Sequence, residues 1–251
     1  MKKKIITHNG IFHADEIFAI GLLLCTVLEK EDDYVIERTR NIAATDYTDD
    51  NVWIIDVGGV YDPAKKLFDH HHDATLPASC ILVLDHLLNT GEISAELHTE
   101  LYKSFKTVSD IDTGGFEQFN GFQVNSLIKS FNCIGEEGFN ISLDVCMCYI
   151  DSCIDSVKQS EESLDIWNTA VKLGEHIRIC RRFPIHWKRY SDARYIVYPL
   201  DGKWNVLTIN SQLYPLVAIG KEVFIHASKF LAVYEKYEDA VDSLTHTLAE
   251  K

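Results

Sequence analysis

Four short segments of the chain carry imidazoles and carboxylates that could hold cations together. "THNGIFHADE" contains His8, His13 and Asp15, "WIIDVGG" contains Asp56, "FDHHH" contains Asp69, His70 and His71, and "DIDTGG" contains Asp112. Taken singly, each has an ordinary account: His8 ends a strand, Asp15 opens a helix, Asp56 binds turn amides, and the histidine run faces solvent. Taken together they imply more. Unpaired carboxylates crowded into one small volume repel strongly, and divalent cations resolve that repulsion. A mixed His/Asp set without thiolates suits Mn²⁺ or Mg²⁺, with Zn²⁺ as a further option, at two sites joined by at least one bridging carboxylate. Two such ions about 3.5–4 Å apart orient an in-line attack on phosphorus and acidify a bound water.

The elements that must position these residues are legible around them. "KIITH" reads as a strand and "DEIFAIGLLLCTVLEK" as a helix with acidic residues in its first turn. "YVIERTR" is strand-like, and "VWIIDVGG" is a buried strand ending in an aspartate and two glycines. "KLFDHHH" follows a Tyr-Asp-Pro turn. Strands alternating with helices predict an α/β domain with a largely parallel sheet, and in such sheets ligands sit at the carboxyl ends of strands. From Ser79 to about Leu173 the pattern is mainly helical, broken by the glycine-containing loop "DIDTGGFEQFNGF". "FNISLDVCMCYIDSCIDSVKQSEESLDIWNTAVKL" fits one long helix or two. Beyond Gly174 the texture is β-like through "HIRICRRF", "RYIVYPL", "KWNVLTI" and "EVFIHASKFLAVY", with an Asp-Gly hairpin turn in "PLDGKW" and a closing helix from Tyr237. We therefore expect a catalytic domain over 1–174 and a smaller α+β, substrate-binding domain over 175–251.

Composition narrows the class. The 251 residues are 46% hydrophobic and 25% charged, ordinary values for a globular chain able to bury a full core. The basic start "MKKKIITHNG" lacks the apolar stretch of a secretory leader, and the run Ile17 to Leu24 is too short to span a bilayer. Seven cysteines include no C-x-x-C pair; Cys146, Cys148 and Cys153, in the apolar-rich "ISLDVCMCYIDSCI", read as buried free thiols, and reduced cysteines fit a cytoplasmic setting. A net charge of −14 opposes non-specific nucleic-acid binding over most of the surface. One strip is different: Lys172, Arg178, Arg181, Arg182, Lys188, Arg189 and Arg194 face only Glu175 and Asp192. It reads either as a solvated, ion-paired segment or as a basic track for phosphates.

The series His-x-Gly…His-x-Asp-Glu, Asp-Val-Gly-Gly, Tyr-Asp-Pro…Asp-His-His and Asp-x-Gly resembles the Myg-type family, the melanocyte-proliferating-gene relatives within the DHH phosphoesterases. That superfamily includes RecJ-like nucleases and manganese pyrophosphatases. "THNGIFHADE", "IDVGGVYDP" and "FDHHH" are close matches, with weaker echoes in "GFQVNSLIKSFN", "RICRRFPIHWK", "YIVYPLDGKWNV" and "FIHASKF". The resemblance implies a DHH-like parallel-sheet domain and a ligand set. By the pyrophosphatase pattern His8 and His13 bind a first metal and Asp15 and His70 a second, while Asp56 and Asp112 bridge or are shared. His71 and Asp69 are the implied catalytic pair, His71 facing the scissile phosphate and Asp69 fixing the adjacent loop or imidazole. Glu16 is read as a residue of the helix's first turn, and His72 receives no role.

The chain departs from the family's text in two places. Thr113 stands where the family has Asn after Asp112. The C-terminal His-x-Gly-Gly-Phe-x-Gly-Gly is here "HASKFLAV", so Ser228, Lys229, Ala232 and Val233 replace four glycines. The resemblance implies a 3′→5′ exonuclease on RNA or short oligonucleotides using two divalent ions, Mn²⁺ first. Arg182, Lys188, Arg189, His226 and Lys229 are the expected substrate contacts, and no membrane partner is expected. Two alternatives remain: a phosphohydrolase for small molecules such as dinucleotides or pyrophosphate, and a non-catalytic metal-binding regulator.

Overall fold

A computed structural model describes residues 2–28, 34–114, 123–190 and 192–249. The chain divides into two compact units, Met1–Val157 and Lys158–Lys251. The division falls inside a single helix, Gly135–Asn168. Of the loop read at 110–122, residues 115–122 lie outside the described residues, as do Glu29 and Lys30 at the end of the first predicted helix.

The first unit is built on a five-stranded sheet of order β2-β1-β3-β5-β4. Its strands are β1 (Lys3–Thr7), β2 (Tyr34–Arg38), β3 (Val52–Ile55), β4 (Tyr61–Asp62) and β5 (Leu67–Phe68). The β1·β2, β1·β3 and β3·β5 pairs are parallel, and only the short edge strand β4 is antiparallel. This is the largely parallel α/β arrangement that the alternating pattern predicts.

Helix α1 (Ala14–Thr26) buries every residue from Ala14 to Leu24, which is why its sequence is apolar all round rather than striped. It packs against α2 (Ser79–Thr90) and α3 (Ala95–Asp112), and against α4 (Val124–Ser130). At Gly21 a Cβ would lie 3.0 Å from the Cys146 sulfur of α5 (Gly135–Asn168), so glycine is what lets α1 and α5 approach there. Trp53 stacks on Phe68, with ring centroids 5.8 Å apart.

The second unit holds a six-stranded sheet of order β10-β11-β9-β8-β7-β6. Its strands are β6 (Val171–Leu173), β7 (Ile177–Ile179), β8 (Tyr195–Leu200), β9 (Lys203–Thr208), β10 (Phe224–Ile225) and β11 (Leu231–Tyr234), followed by α6 (Tyr237–Ala249). All pairs are antiparallel except β7·β8. Asp201 and Gly202 both take positive φ between β8 and β9, as a tight hairpin requires. Alternate residues of β8 serve two cores: Tyr195 and Val197 join Val206, Tyr234 and Leu244, whereas Ile196 and Tyr198 join Trp167 and Trp187. The predicted α+β character of this part is what the structure shows. Among the described residues no helix is long and apolar enough to cross a membrane.

Candidate metal centre

Three neighbouring parallel strands, β1, β3 and β5, end within one another's reach and deliver the first ligand candidates. His8 follows β1, Asp56 follows β3, and Asp69 and His70 follow β5. Asp56 takes φ 58°, a left-handed conformation that aspartate tolerates better than most residues; it turns the chain sharply at the sheet end. Helices supply the rest. Asp15 lies in the first turn of α1, and Asp112 is the last residue of α3.

The side chains converge into three overlapping groups, each with its ligand atoms within 4.8 Å of one another: His8, His13, Glu16 and Asp56; Asp56, His70 and His71; Asp15, His70 and Asp112. All six residues expected as metal ligands are therefore brought together, and Asp56 belongs to two groups, as a shared carboxylate would. Asp112 falls in one group only. Glu16, read from sequence as a helix residue, joins the first group.

The distances describe a cluster held open at its centre. His70 Nε2 stands 3.4 Å from Asp56 Oδ1, 3.4 Å from Asp112 Oδ2 and 3.7 Å from Asp15 Oδ2, yet it makes no well-directed hydrogen bond. His8 Nε2 lies 3.0 Å from Glu16 Oε1 and 3.4 Å from Asp56 Oδ2. Its Nδ1 is 3.2 Å from the Asn9 carbonyl; an N–H donated there leaves Nε2 as the ligating nitrogen. Asp15 is fully buried and accepts the backbone N–H groups of Ser79 (3.0 Å) and Cys80 (2.7 Å) at the start of α2, where the helix dipole favours an anion. The Ser79 hydroxyl donates to Asp56 Oδ1 at 3.2 Å.

Protonation follows from this crowding. Burial, then the Asp56 and Asp112 charges, push the Asp15 carboxyl well above its ordinary range. Burial also raises Glu16. Burial alone would raise Asp56 too, but the imidazoles of His70 and His8, each 3.4 Å away, hold it below the ordinary carboxylate range. Burial opposes charge on His8, yet Asp56 and Glu16 raise its imidazole to about 10. Asp112 and Asp56 raise His70 to about 10 against its own desolvation. Without cations, protons occupy places that cations would fill. The buried, unpartnered His70 Nε2 and Glu16 Oε2 fit the same reading: each is a donor atom facing nothing that satisfies it.

Asp69 and His71 form a rim beside this cluster. Asp69 Oδ2 accepts the Gly59 N–H at 2.6 Å, and its Oδ1 accepts the His71 N–H at 3.0 Å and lies 2.7 Å from His71 Nδ1. The His71 side chain is 61% exposed, with Nδ1 3.6 Å from Asp56 Oδ1. His72 is exposed and joins none of the groups.

Two residues that sequence reading passed over shape the loop between β1 and α1. The Asn132 side chain accepts the Phe12 N–H and donates to the Phe12 carbonyl, both at 2.8 Å, and Arg38 Nη2 donates to the Gly10 carbonyl at 2.7 Å. Neither carries a local sequence signal, since both act across long stretches of chain.

The expected substrate contacts lie in the second unit. Arg182 pairs with Glu162, Arg181 with Asp165, and the buried Arg178 with Asp192. Lys188 and Arg189 are exposed on a single 3-10 turn, Trp187–Arg189. His226 packs its ring on Phe230, with centroids 4.3 Å apart, in the β10–β11 turn. Lys229 in that turn has φ 57°, so it keeps a glycine-like backbone where the family's text has glycine.

Comparison with known proteins adds the family. The MYG1 exonuclease family model, described as an uncharacterised protein family (UPF0160), matches residues 4–78. A MYG1 protein of Chlamydia trachomatis is 25% identical over 99% of this chain and 98% of that protein. The MYG1 exonuclease of Homo sapiens is 42% identical over 71 residues, 27% of this chain and 17% of that protein. The solved structure of RecJ with Mg²⁺ from Thermus thermophilus covers 98% of this chain and 48% of its own, at 12% identity and a TM-score of 0.31, a superposition too loose to transfer residues. A MYG1 protein of Chlamydia pneumoniae is 32% identical over 99% of this chain and 98% of its own length. With identity of that degree sustained from end to end, the chain belongs to the MYG1 family.

Proposed function

We propose that the protein is a metal-dependent phosphoesterase, a 3′→5′ exonuclease on RNA or short oligonucleotides that works with two divalent ions, Mn²⁺ first. The observation that carries this reading is the sharing of Asp56 between the His8/His13/Glu16 group and the His70/His71 group, with Asp15 and Asp112 closing the second side. Adjoining sites that share a carboxylate are what two-metal phosphoester chemistry requires. The name of the human relative, an exonuclease, supports the substrate class.

On this reading His8, His13 and Asp56 hold one ion, and Asp15, His70, Asp112 and Asp56 hold the other. Divalent ions there supply Lewis acidity toward a phosphoryl oxygen and a water acidic enough to attack at neutral pH. The chain's own residues do the rest. The α2 amides fix Asp15, and the Asn9 carbonyl fixes the His8 ring. Asp69, anchored by the Gly59 amide, orients the His71 imidazole through Nδ1. That leaves the exposed ring edge of His71 to donate a hydrogen bond or proton to the substrate. The seven cysteines form no disulfide, which supports a cytoplasmic setting.

A second reading, a hydrolase for dinucleotides or similar small phosphoesters, draws on the charge. The net charge is −14, and three arginines of the basic strip are already paired with acids. Purified protein incubated with Mn²⁺ and either end-labelled RNA or a dinucleotide separates the two. Mononucleotides released from RNA, and lost in Asp56→Ala, are the expected result. RNA left intact while the dinucleotide is cleaved favours the second reading, and an Asp56→Ala variant as active as wild type overturns both.

A further inference from the structure

Glu16 occupies a position that helix capping alone does not explain. Its Oε1 accepts the His13 N–H at 2.9 Å, as a capping residue at the third helical position does. Glutamine performs that role equally well, and such residues ordinarily stand in water. Glu16 is instead completely buried, 3.0 Å from His8 Nε2, and its Oε2 has no hydrogen-bond partner. A buried carboxylate oxygen without a partner costs free energy that a cap does not return.

Charge counting gives that oxygen a purpose. Asp15, Glu16, Asp56 and Asp112 bring four negative charges to the three overlapping groups, and two divalent cations cancel them. With only the three aspartates, the loaded cluster would carry one net positive charge in surroundings where Asp15 is 0% and Asp56 2% exposed. Uncompensated charge in such a place is strongly disfavoured. The remaining nearby carboxylate, Asp69, is committed to the Gly59 amide and to His71.

We propose that Glu16 is a direct ligand of the ion held by His8 and His13, and that its carboxylate is what allows both sites to fill. This rests on the metal-centre reading above but not on the nature of the substrate. The first site then has two imidazoles and two carboxylates, His8, His13, Glu16 and Asp56, and Glu16 both starts α1 and closes the coordination shell.

The test is Mn²⁺ titration of chelator-stripped wild type and Glu16→Gln, followed by calorimetry and by metal analysis after gel filtration. Glutamine keeps the cap and the shape while removing the charge. Expected is a wild type retaining two ions and a Glu16→Gln variant that retains one, with first-site affinity at least about tenfold weaker. Its unfolding in chelator should stay cooperative, with the melting temperature lowered only by the lost Glu16–His8 pair. Two ions retained by Glu16→Gln at wild-type affinity would overturn the proposal and leave Glu16 as a cap. Should the variant not fold, a crystal structure of the Mn²⁺-loaded wild type decides: a Glu16 oxygen bonded to an ion supports the proposal, and a Glu16 contacting only the His13 amide and His8 ring defeats it. Metal binding that depends on Glu16 in a protein inert toward RNA would refute the nuclease reading and leave this one standing.

Discussion

The two units concentrate opposite charge and treat it oppositely. In the first, Asp15, Glu16 and Asp56 are carboxylates driven out of water and left facing one another across His8 and His70. In the second, Arg181 and Arg182 remain at the surface and are each neutralised by an acid on α5, Asp165 and Glu162. Surface pairs of that kind contribute about 0–1 kcal/mol and can be lost with little consequence. A buried cluster of like charges cannot be assembled without something to compensate it. The lesson is that motif-rich charge and merely abundant charge differ in burial, so the strong effects of substitution should fall in the first unit.

The largest effect is expected from Asp56→Ala and Asp112→Ala. Each should lower activity by about 10³-fold or more and reduce the metal retained after gel filtration, because each removes a carboxylate that an ion needs. An Asp56→Ala protein with full metal content would break the contrast outright. Next comes His71→Ala, where turnover should drop about 10²–10⁴-fold while most metal stays bound, measured by single-turnover cleavage beside metal analysis. Equal metal loss would move His71 from the substrate side of the site to the ligand side.

Acidity gives a third test, with a sign that depends on metal. The folded-state imidazoles of His8 and His70 are raised to about 10, above the ordinary value near 6.5. In chelator the stabilisation they carry is fully present below about pH 6.5 and is lost as pH rises through about 10, so thermal stability should fall across that window. Mn²⁺ must displace those protons, so its affinity should rise across the same window, by up to about tenfold per pH unit for each proton released. Melting curves at several pH values with and without Mn²⁺ should therefore diverge. Parallel curves would show that the imidazoles do not meet the metal.

Smaller effects grade the periphery. Asp69→Asn should cost about 10–100-fold in activity or metal affinity, since it loosens the Gly59 turn and the His71 ring without removing a ligand. In the second unit Lys188→Glu, Arg189→Glu and Lys229→Glu should each raise KM about fivefold, on the order of one kcal/mol, with kcat nearly unchanged. Arg182→Ala, which frees Glu162, should do less. A loss of kcat there larger than in His71→Ala would reverse the comparison.

Most of the side-chain cluster was legible in the sequence, and the reason is local. His8, Asp56, Asp69 and His70 each follow a short apolar strand, so the parallel-sheet rule alone predicts that they meet. Glu16 escaped because a glutamate in a helix's first turn is ordinary when exposed, and burial cannot be read from its neighbours. Asn132 and Arg38 escaped because they shape the His8–His13 loop from 120 and 28 positions away from their partners. The division between units at Val157 and Lys158 was invisible because α5 continues through it. In the basic strip the count of cations was plain, but Glu162 and Asp165, which neutralise two of them, lie outside the segment in which the charges were counted.

The account turns on two ions sharing Asp56, and electron paramagnetic resonance of the metal-stripped protein reloaded with two equivalents of Mn²⁺ tests that most directly. Ions about 3.5–4 Å apart should give the spectrum of a magnetically coupled pair, and Asp56→Ala should abolish it. A spectrum of isolated Mn²⁺ in the wild type, or a coupled pair that survives Asp56→Ala, would contradict the account.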